Sequence, residues 1–395
     1  MSWTSKFESL IGEIDHHLRD AARSILGDGP QGVIAYRGYG NHTAAYFHGR
    51  ALECRTYDPS AHTDSALRNL LNTYRRVDAN AIPLAQVAIE FAGRTVTCTA
   101  DDEGFFAGRI DLAPPLEDGD SWRTYAVELL SPAAAGVVPP KTKGEMLVPP
   151  STARFGVISD IDDTVIQSRV NNFLQAARTV MLGNARTRLP FPGVAAFYDA
   201  LSRGADGAQQ NPIFYVSSSP WNIHDIIVEF MDLQGLPRGP ILLRDWDIAL
   251  GALAASRHFE HKGVAIRRIL ALYPDLPFIL IGDTSQHDPE IYRQIVSEFP
   301  GRISAVYIRD VNRSPERTQS VQRLSEEILA AKSVLVLAEN TVGAATHAIE
   351  RGWISADALP SIRDEKRADE GTSGEKVATP DGGAPGDGNA PTVVQ

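Results

Sequence analysis

The chain has 395 residues, of which 43% are hydrophobic and 22% charged, with a formal net charge of -11. That is longer than one core usually serves, so two domains and a tail are expected. The acidic balance argues against nucleic-acid binding, which needs a surplus of Lys and Arg. It leaves a phosphorylated small molecule open, because a bound cation can reverse the local sign. No apolar run approaches the roughly 20 residues of a membrane span, and no basic start precedes an apolar stretch. Two cysteines, Cys54 and Cys98, are too few for a disulfide framework. A cytoplasmic setting fits, and whether the two thiols pair stays open, as does the oligomeric state.

Residues 1–30 read as an amphipathic helix, with Phe7, Leu10, Ile11, Ile14 and Leu18 on one stripe and mixed charges opposite. Residues 31–131 are short β-prone runs broken by Gly, Asn and Asp, the pattern of a small β-sandwich. Val87, Ile89 and Phe91 followed by Val96 and Cys98 imply a hairpin turning at Gly93–Arg94. Residues 132–150, rich in Pro, Gly and Ala, read as an extended linker. From 151 to 360 strand-like and helical runs alternate, which implies an α/β fold with a parallel sheet covered by helices. The expected strands are 155–159, 213–217, 241–244, 278–282, 303–308 and 334–338. Residues 361–395 carry few large apolar side chains and are expected to be a disordered tail.

The chemistry concentrates where strands end. VISDIDDTV places Asp160, Asp162, Asp163 and Thr164 after a hydrophobic strand, where open α/β sheets bind ligands. A nucleophile and a separate proton donor one residue apart could both face that crevice; a solvated acidic turn is the bland alternative. IFYVSSSP ends a strand at Ser217, either an oxyanion contact or a cap for a helix near Trp221. Lys262 falls at an expected helix start, where a cation opposes the helix dipole unless it has another task. FILIGDTSQHDPEIY ends a strand at Asp283 with Asp288 beyond, two carboxylates suited to Mg²⁺. His258 and His261 lack a third soft ligand for a metal. His287 could neighbour a substrate or sit on the surface, and Trp221–Asn222 could line a pocket or simply pack. No GxSxG supports a serine hydrolase.

Taken in order, DIDDT, the strand ending at Ser217, Lys262, and GD with a second Asp five residues on resemble the haloacid dehalogenase phosphatase superfamily. The phrases SDIDDTV, YVSSSPW, HK and ILIGDTSQHDPEIY are closer to the actin-patch-protein-type phosphatidate phosphatases. YRGYGN, HGRAL and VLVLAENTVGAATHAIERGWI look similar too, so the resemblance spans roughly 30–355. Ser218 departs from the asparagine of that branch. The resemblance implies a haloacid-dehalogenase-like Rossmannoid sheet with a small or absent cap. It also implies a Mg²⁺-dependent phosphoric monoester hydrolase working through an aspartyl phosphate. Asp160 would be the nucleophile and a metal ligand, and Asp162 the acid and base whose carbonyl also reaches the metal. Ser217 and Lys262 would hold phosphoryl oxygens, with Thr164 and Ser218 near the substrate. Asp283 and Asp288 would complete the metal site. The implied substrate is a lipid phosphate such as phosphatidate, with a membrane surface as the implied place of encounter. A soluble metabolite or phosphoprotein is the alternative, and a regulatory role using the β-domain is the second.

Overall fold

A computed structural model describes residues 31–53, 81–132, 141–161, 192–244, 258–284, 287–309, 324–329, 333–338 and 340–371. The expected N-terminal amphipathic helix, Cys54, Asp162, Asp163 and Thr164 lie outside these residues. Among the described residues no helix is long and apolar enough to cross a membrane.

The chain is mixed α/β, with two compact units. One comprises the described residues up to Gly38 together with Ala45–Asp111 and Thr124–Glu145. The other comprises Tyr39–Ala44, Leu112–Arg123 and the described residues from Met146 on. The C-terminal unit is therefore not the contiguous 151–360 block expected, because two short N-terminal segments belong to it.

The described residues of the first half form one hydrogen-bonded sheet of eight strands. They are β1 (Gln31–Ala35), β2 (Gly38–Gly40), β3 (Ala44–Glu53), β4 (Gln86–Phe91), β5 (Arg94–Thr99), β6 (Phe105–Asp111), β7 (Trp122–Ser131) and β8 (Thr142–Leu147). Their order is β1-β3-β2-β8-β7-β4-β5, with β6 on β3. The β4–β5 register pairs Phe91 with Arg94, so the turn is Ala92–Gly93, one residue earlier than expected. Both turn residues have positive φ, 51° and 72°, the geometry whose twist suits a two-residue hairpin. The stretch TADDEGFF turns into β6, where the Asp101 carboxylate accepts from the backbone N–H of Glu103 (2.9 Å) and Phe105 (2.8 Å). Residues 142–147, read as linker, form β8 in the middle of the sheet. Composition hid this strand, because Pro and Gly crowd the preceding stretch while Met146 and Leu147 are buried.

The second sheet is β9 (Gly156–Asp160), β10 (Ile213–Pro220), β11 (Ile241–Arg244), β12 (Phe278–Asp283), β13 (Ile303–Arg309) and β14 (Val334–Ala338). All its pairings are parallel, in the order β11-β10-β9-β12-β13-β14. Counted from its own first strand this is 3-2-1-4-5-6, the doubly wound order. Every residue of β9 and β12 is buried, as strands covered on both faces must be. Helices among the described residues include α1 (Val194–Arg203), α2 (His224–Leu233), α3 (His258–Leu272), α4 (Asp288–Glu298), α5 (Thr341–Glu350) and α6 (Ala358–Gly371), and residues 324–329 are helical as well. Phe214 meets Tyr273 just after α3 (ring centroids 5.6 Å), while its neighbour Tyr215 meets Tyr198 of α1 (6.4 Å). Successive strand side chains point to opposite faces, so α1 and the end of α3 cover opposite sides of the sheet.

Residues 361–371 were expected to begin the disordered tail but continue α6. Ile362 is fully buried, and the Glu365 carboxylate accepts from the N–H of Ala195 (3.1 Å) and Ala196 (2.9 Å). It caps α1, whose own N-cap residue Gly193 offers no side chain. Glu365→Ala should lower the stability of this unit by about 1 kcal/mol, as for loss of a helix cap, measured by denaturant unfolding. His347 of α5 is buried against Tyr307, and its imidazole is lowered from 6.5 by burial and by nearby Arg351. A depressed histidine stabilises the fold fully above about 6.5, and that stability is lost as pH falls through the folded value. The melting temperature should therefore fall on acidification below pH 6.5, and His347→Gln should flatten the fall.

Candidate active site

Asp160 is the last residue of β9, and the β9–β10 register sets it opposite Val216. Ser217 lies one step further along β10. On the other side Ile281 of β12 stands opposite Ser159, two residues before Asp283. β9 and β12 flank the point where the strand order reverses, and both end in an aspartate at the carboxyl edge. This is where doubly wound sheets open a crevice for ligands.

Asp160, Asp283, Asp288, Ser217 and Lys262 are all buried, the lysine 1% exposed and the other four 0%. Asp160 is thus no solvated turn. Lys262 Nζ stands 2.6 Å from Asp160 Oδ1 and 2.9 Å from Asp288 Oδ1. A buried ammonium is tolerated only when such partners replace its water. The other Asp288 oxygen, Oδ2, accepts from the N–H of Asp283 at 3.3 Å. Two strands and two helices converge through this one carboxylate–ammonium chain.

Lys262 sits five residues into α3, beyond the first turn and not at the helix start, so the dipole argument for its special role does not apply. Burial between two acids makes that case instead. Ser217 does not cap a helix: its Oγ accepts from Ser219 N–H at 2.9 Å, and α2 begins after a 3₁₀ turn over Trp221–Ile223. Ser218 is half-buried beside it. Trp221 is buried and stacks on His224, with centroids 5.5 Å apart and planes at 23°, which favours packing for the indole. His287 is exposed. Asp162 and Thr164 belong to the expected set but fall outside the described residues.

Two tyrosines that sequence reasoning passed over hold the acids from behind. Tyr292 donates to the Ile281 carbonyl at 2.8 Å. Burial, and after it the nearby charges of Asp288 and Asp160, push its phenol well above the ordinary range. Its position four residues after Asp288 on α4 puts both on one helix face, a signal present in DPEIY. Tyr198, raised chiefly by burial, shares a 2.7 Å hydrogen bond with Ser159 Oγ, which donates to the Asp160 carbonyl at 2.8 Å.

Asp160, Asp283 and Asp288 are hard oxygen donors, and Lys262 offsets only part of their charge. That chemistry suits Mg²⁺, which keeps several waters and needs few protein ligands. Among the described residues no three His, Cys, Asp or Glu side chains converge as a finished cage.

Residues 155–310 match the family model described as the catalytic domain of phosphatidate phosphatase APP1. Phosphatidate phosphatase APP1 of Saccharomyces cerevisiae is 31% identical over 156 residues, 39% of this chain and 26% of that protein. An uncharacterised protein of Schizosaccharomyces pombe is 30% identical over 162 residues, 40% of this chain and 25% of that one. The chain thus covers about a quarter of the length of these relatives. The resemblance drawn from the motifs holds over the segment carrying Asp160, Ser217, Lys262, Asp283 and Asp288. Among solved structures, a carbohydrate acetylesterase from Xanthomonas citri is 12% identical with a TM-score of 0.24, over 74% of this chain and 72% of that one, too distant to bear on the fold.

Gly282 shows how tightly the acids are seated. A Cβ there would lie 2.6 Å from Asp288 Oδ2 and 2.9 Å from the Tyr292 ring. Gly282→Ala should push Asp288 off Lys262 and destabilise the unit by about 1–3 kcal/mol, the usual cost of overpacking a filled core, measured by denaturant unfolding. An unchanged unfolding midpoint would show that the seating of Asp288 does not matter.

Proposed function

We propose that the C-terminal unit is a haloacid-dehalogenase-like phosphatase that hydrolyses a phosphate monoester, of the phosphatidate type, through an aspartyl phosphate on Asp160. The observation that carries this reading is Lys262 buried between Asp160 and Asp288 at the carboxyl ends of β9 and β12. The match of residues 155–310 to a phosphatidate phosphatase catalytic domain supports the lipid phosphate as substrate. The doubly wound strand order supports the superfamily fold, and a cytoplasmic setting belongs to the same reading.

A carboxylate approaches a phosphate dianion only where both charges are screened. Lys262 holds Asp160 through a short ion pair and brings its positive charge to the phosphoryl oxygens. Ser217, at the end of the neighbouring strand, holds another oxygen. Asp160 attacks phosphorus, the bond to the alcohol breaks, and Asp162 gives its proton to the leaving oxygen. Water then attacks the aspartyl phosphate; Asp162 takes its proton back, and Asp160 and inorganic phosphate are released. Asp160, Asp162, Asp283 and Asp288 would hold Mg²⁺, which supplies further charge screening at the phosphoryl group.

Phosphate release from phosphatidate vesicles in Mg²⁺, set against soluble monoesters, tests the reading. Turnover should require Mg²⁺, favour the vesicles and vanish in a folded Asp160→Asn variant, since an amide is a poor nucleophile. Full turnover by that variant would overturn the nucleophile, and turnover of soluble esters alone would overturn the lipid substrate.

A further inference from the structure

We propose that Asn41 is a positioning residue for Lys262, acting through the far end of α3; the inference rests on the phosphatase reading for its catalytic consequence. Asn41 lies in YRGYGN, outside the segment that matches the phosphatidate phosphatase catalytic domain. It belongs to the short stretch Tyr39–Ala44 that packs in the C-terminal unit.

The last four carbonyls of a helix lack partners within it. At the end of α3, Asn41 Nδ2 donates to the carbonyl of Leu272 at 2.7 Å. The other end of the same amide is locked: Oδ1 accepts from Thr43 N–H (2.8 Å), Thr43 Oγ1 (2.9 Å) and Ala44 N–H (2.8 Å). Next to it the Tyr273 hydroxyl donates to the Gly40 carbonyl at 2.9 Å. Tyr39, 1% exposed, meets Phe214 edge-on at 5.9 Å, and Phe214 in turn contacts Tyr273. Three consecutive residues thus tie the end of α3 to β10, the strand that leads to Ser217.

Lys262 stands ten residues upstream of Leu272, about 15 Å along the same helix. Between them Ile266, Ile269 and Leu270 are fully buried. Apolar packing of that kind holds a helix laterally but is non-directional. Hydrogen bonds at its end are directional and set how far it slides along its axis. The ammonium needs that setting, because it must reach Asp160 and Asp288 together at 2.6 and 2.9 Å.

Asn41→Asp isolates the contact: a carboxylate keeps the acceptors of the turn, cannot donate to Leu272, and places negative charge at a helix carboxyl end. Tyr273→Phe, which removes only the bond to Gly40, is the milder second variant. The full chain is assayed with p-nitrophenyl phosphate and Mg²⁺ well below each variant's melting range, alongside amide hydrogen exchange over residues 262–273. The expected result for Asn41→Asp is kcat down by about tenfold with KM nearly unchanged. Exchange should quicken as far as the turn holding Lys262, and Tyr273→Phe should move both readouts the same way by less. A lower melting temperature with kcat unchanged and faster exchange confined to 270–273 would overturn the inference. A wild-type chain that releases no phosphate from any monoester would overturn the phosphatase reading alone; exchange around Lys262 would then decide this one.

Discussion

A lysine ammonium with 1% of its surface exposed has exchanged its water for carboxylates, and in this chain those carboxylates arrive from separate elements. Asp160 ends β9 and Asp288 opens α4, while Asp283 ends β12 and binds Asp288 through its own N–H. Leaving any one of these charges buried without its partner is strongly unfavourable, so β9, β12, α3 and α4 must meet in one arrangement. The glycine at 282 and the tyrosines at 198 and 292 follow from that requirement. The glycine makes room for a carboxylate against a strand, and the tyrosines support the backbone and side chains from the buried side.

The same unit draws on distant parts of the chain. Residues 39–44 and 112–123 come from the stretch before the parallel sheet, and α6 returns from the far end to cap α1 through Glu365. The stretch that matches a phosphatidate phosphatase catalytic domain, 155–310, contains the buried acids and Lys262 but neither of these supports. Part of the support for the buried acids therefore comes from outside the segment that resembles these relatives, of whose length the chain covers about a quarter.

Much of the architecture was legible in the sequence, and the reason is periodicity. A strand buried on both faces reads as an unbroken apolar run, so the strands of the parallel sheet were located to within one residue at either end, except that β10 runs three residues beyond the expected 217, with 241–244 and 334–338 matching outright. Aspartates and a serine directly after such runs necessarily fall at the carboxyl edge of the sheet, which is why Asp160, Ser217 and Asp283 could be picked without coordinates. The motif order alone pointed to the family that the 155–310 segment matches.

Other features depended on partners remote in sequence. Residues 142–147 follow a stretch with the composition of a linker, and become a strand because β2 and β7 flank them in the sheet. Residues 361–371 have the charge of a solvated tail, and are helical where Ile362 and Glu365 find α1 and its open N-terminus. Lys262 looked like a helix-start lysine, and only the fold shows it one turn inside α3 and enclosed by two acids. Local pattern reports which face of an element is buried and where it ends. Which ammonium meets which carboxylate, and which asparagine reaches a helix end 231 residues away, is settled by long-range packing and has no local signature.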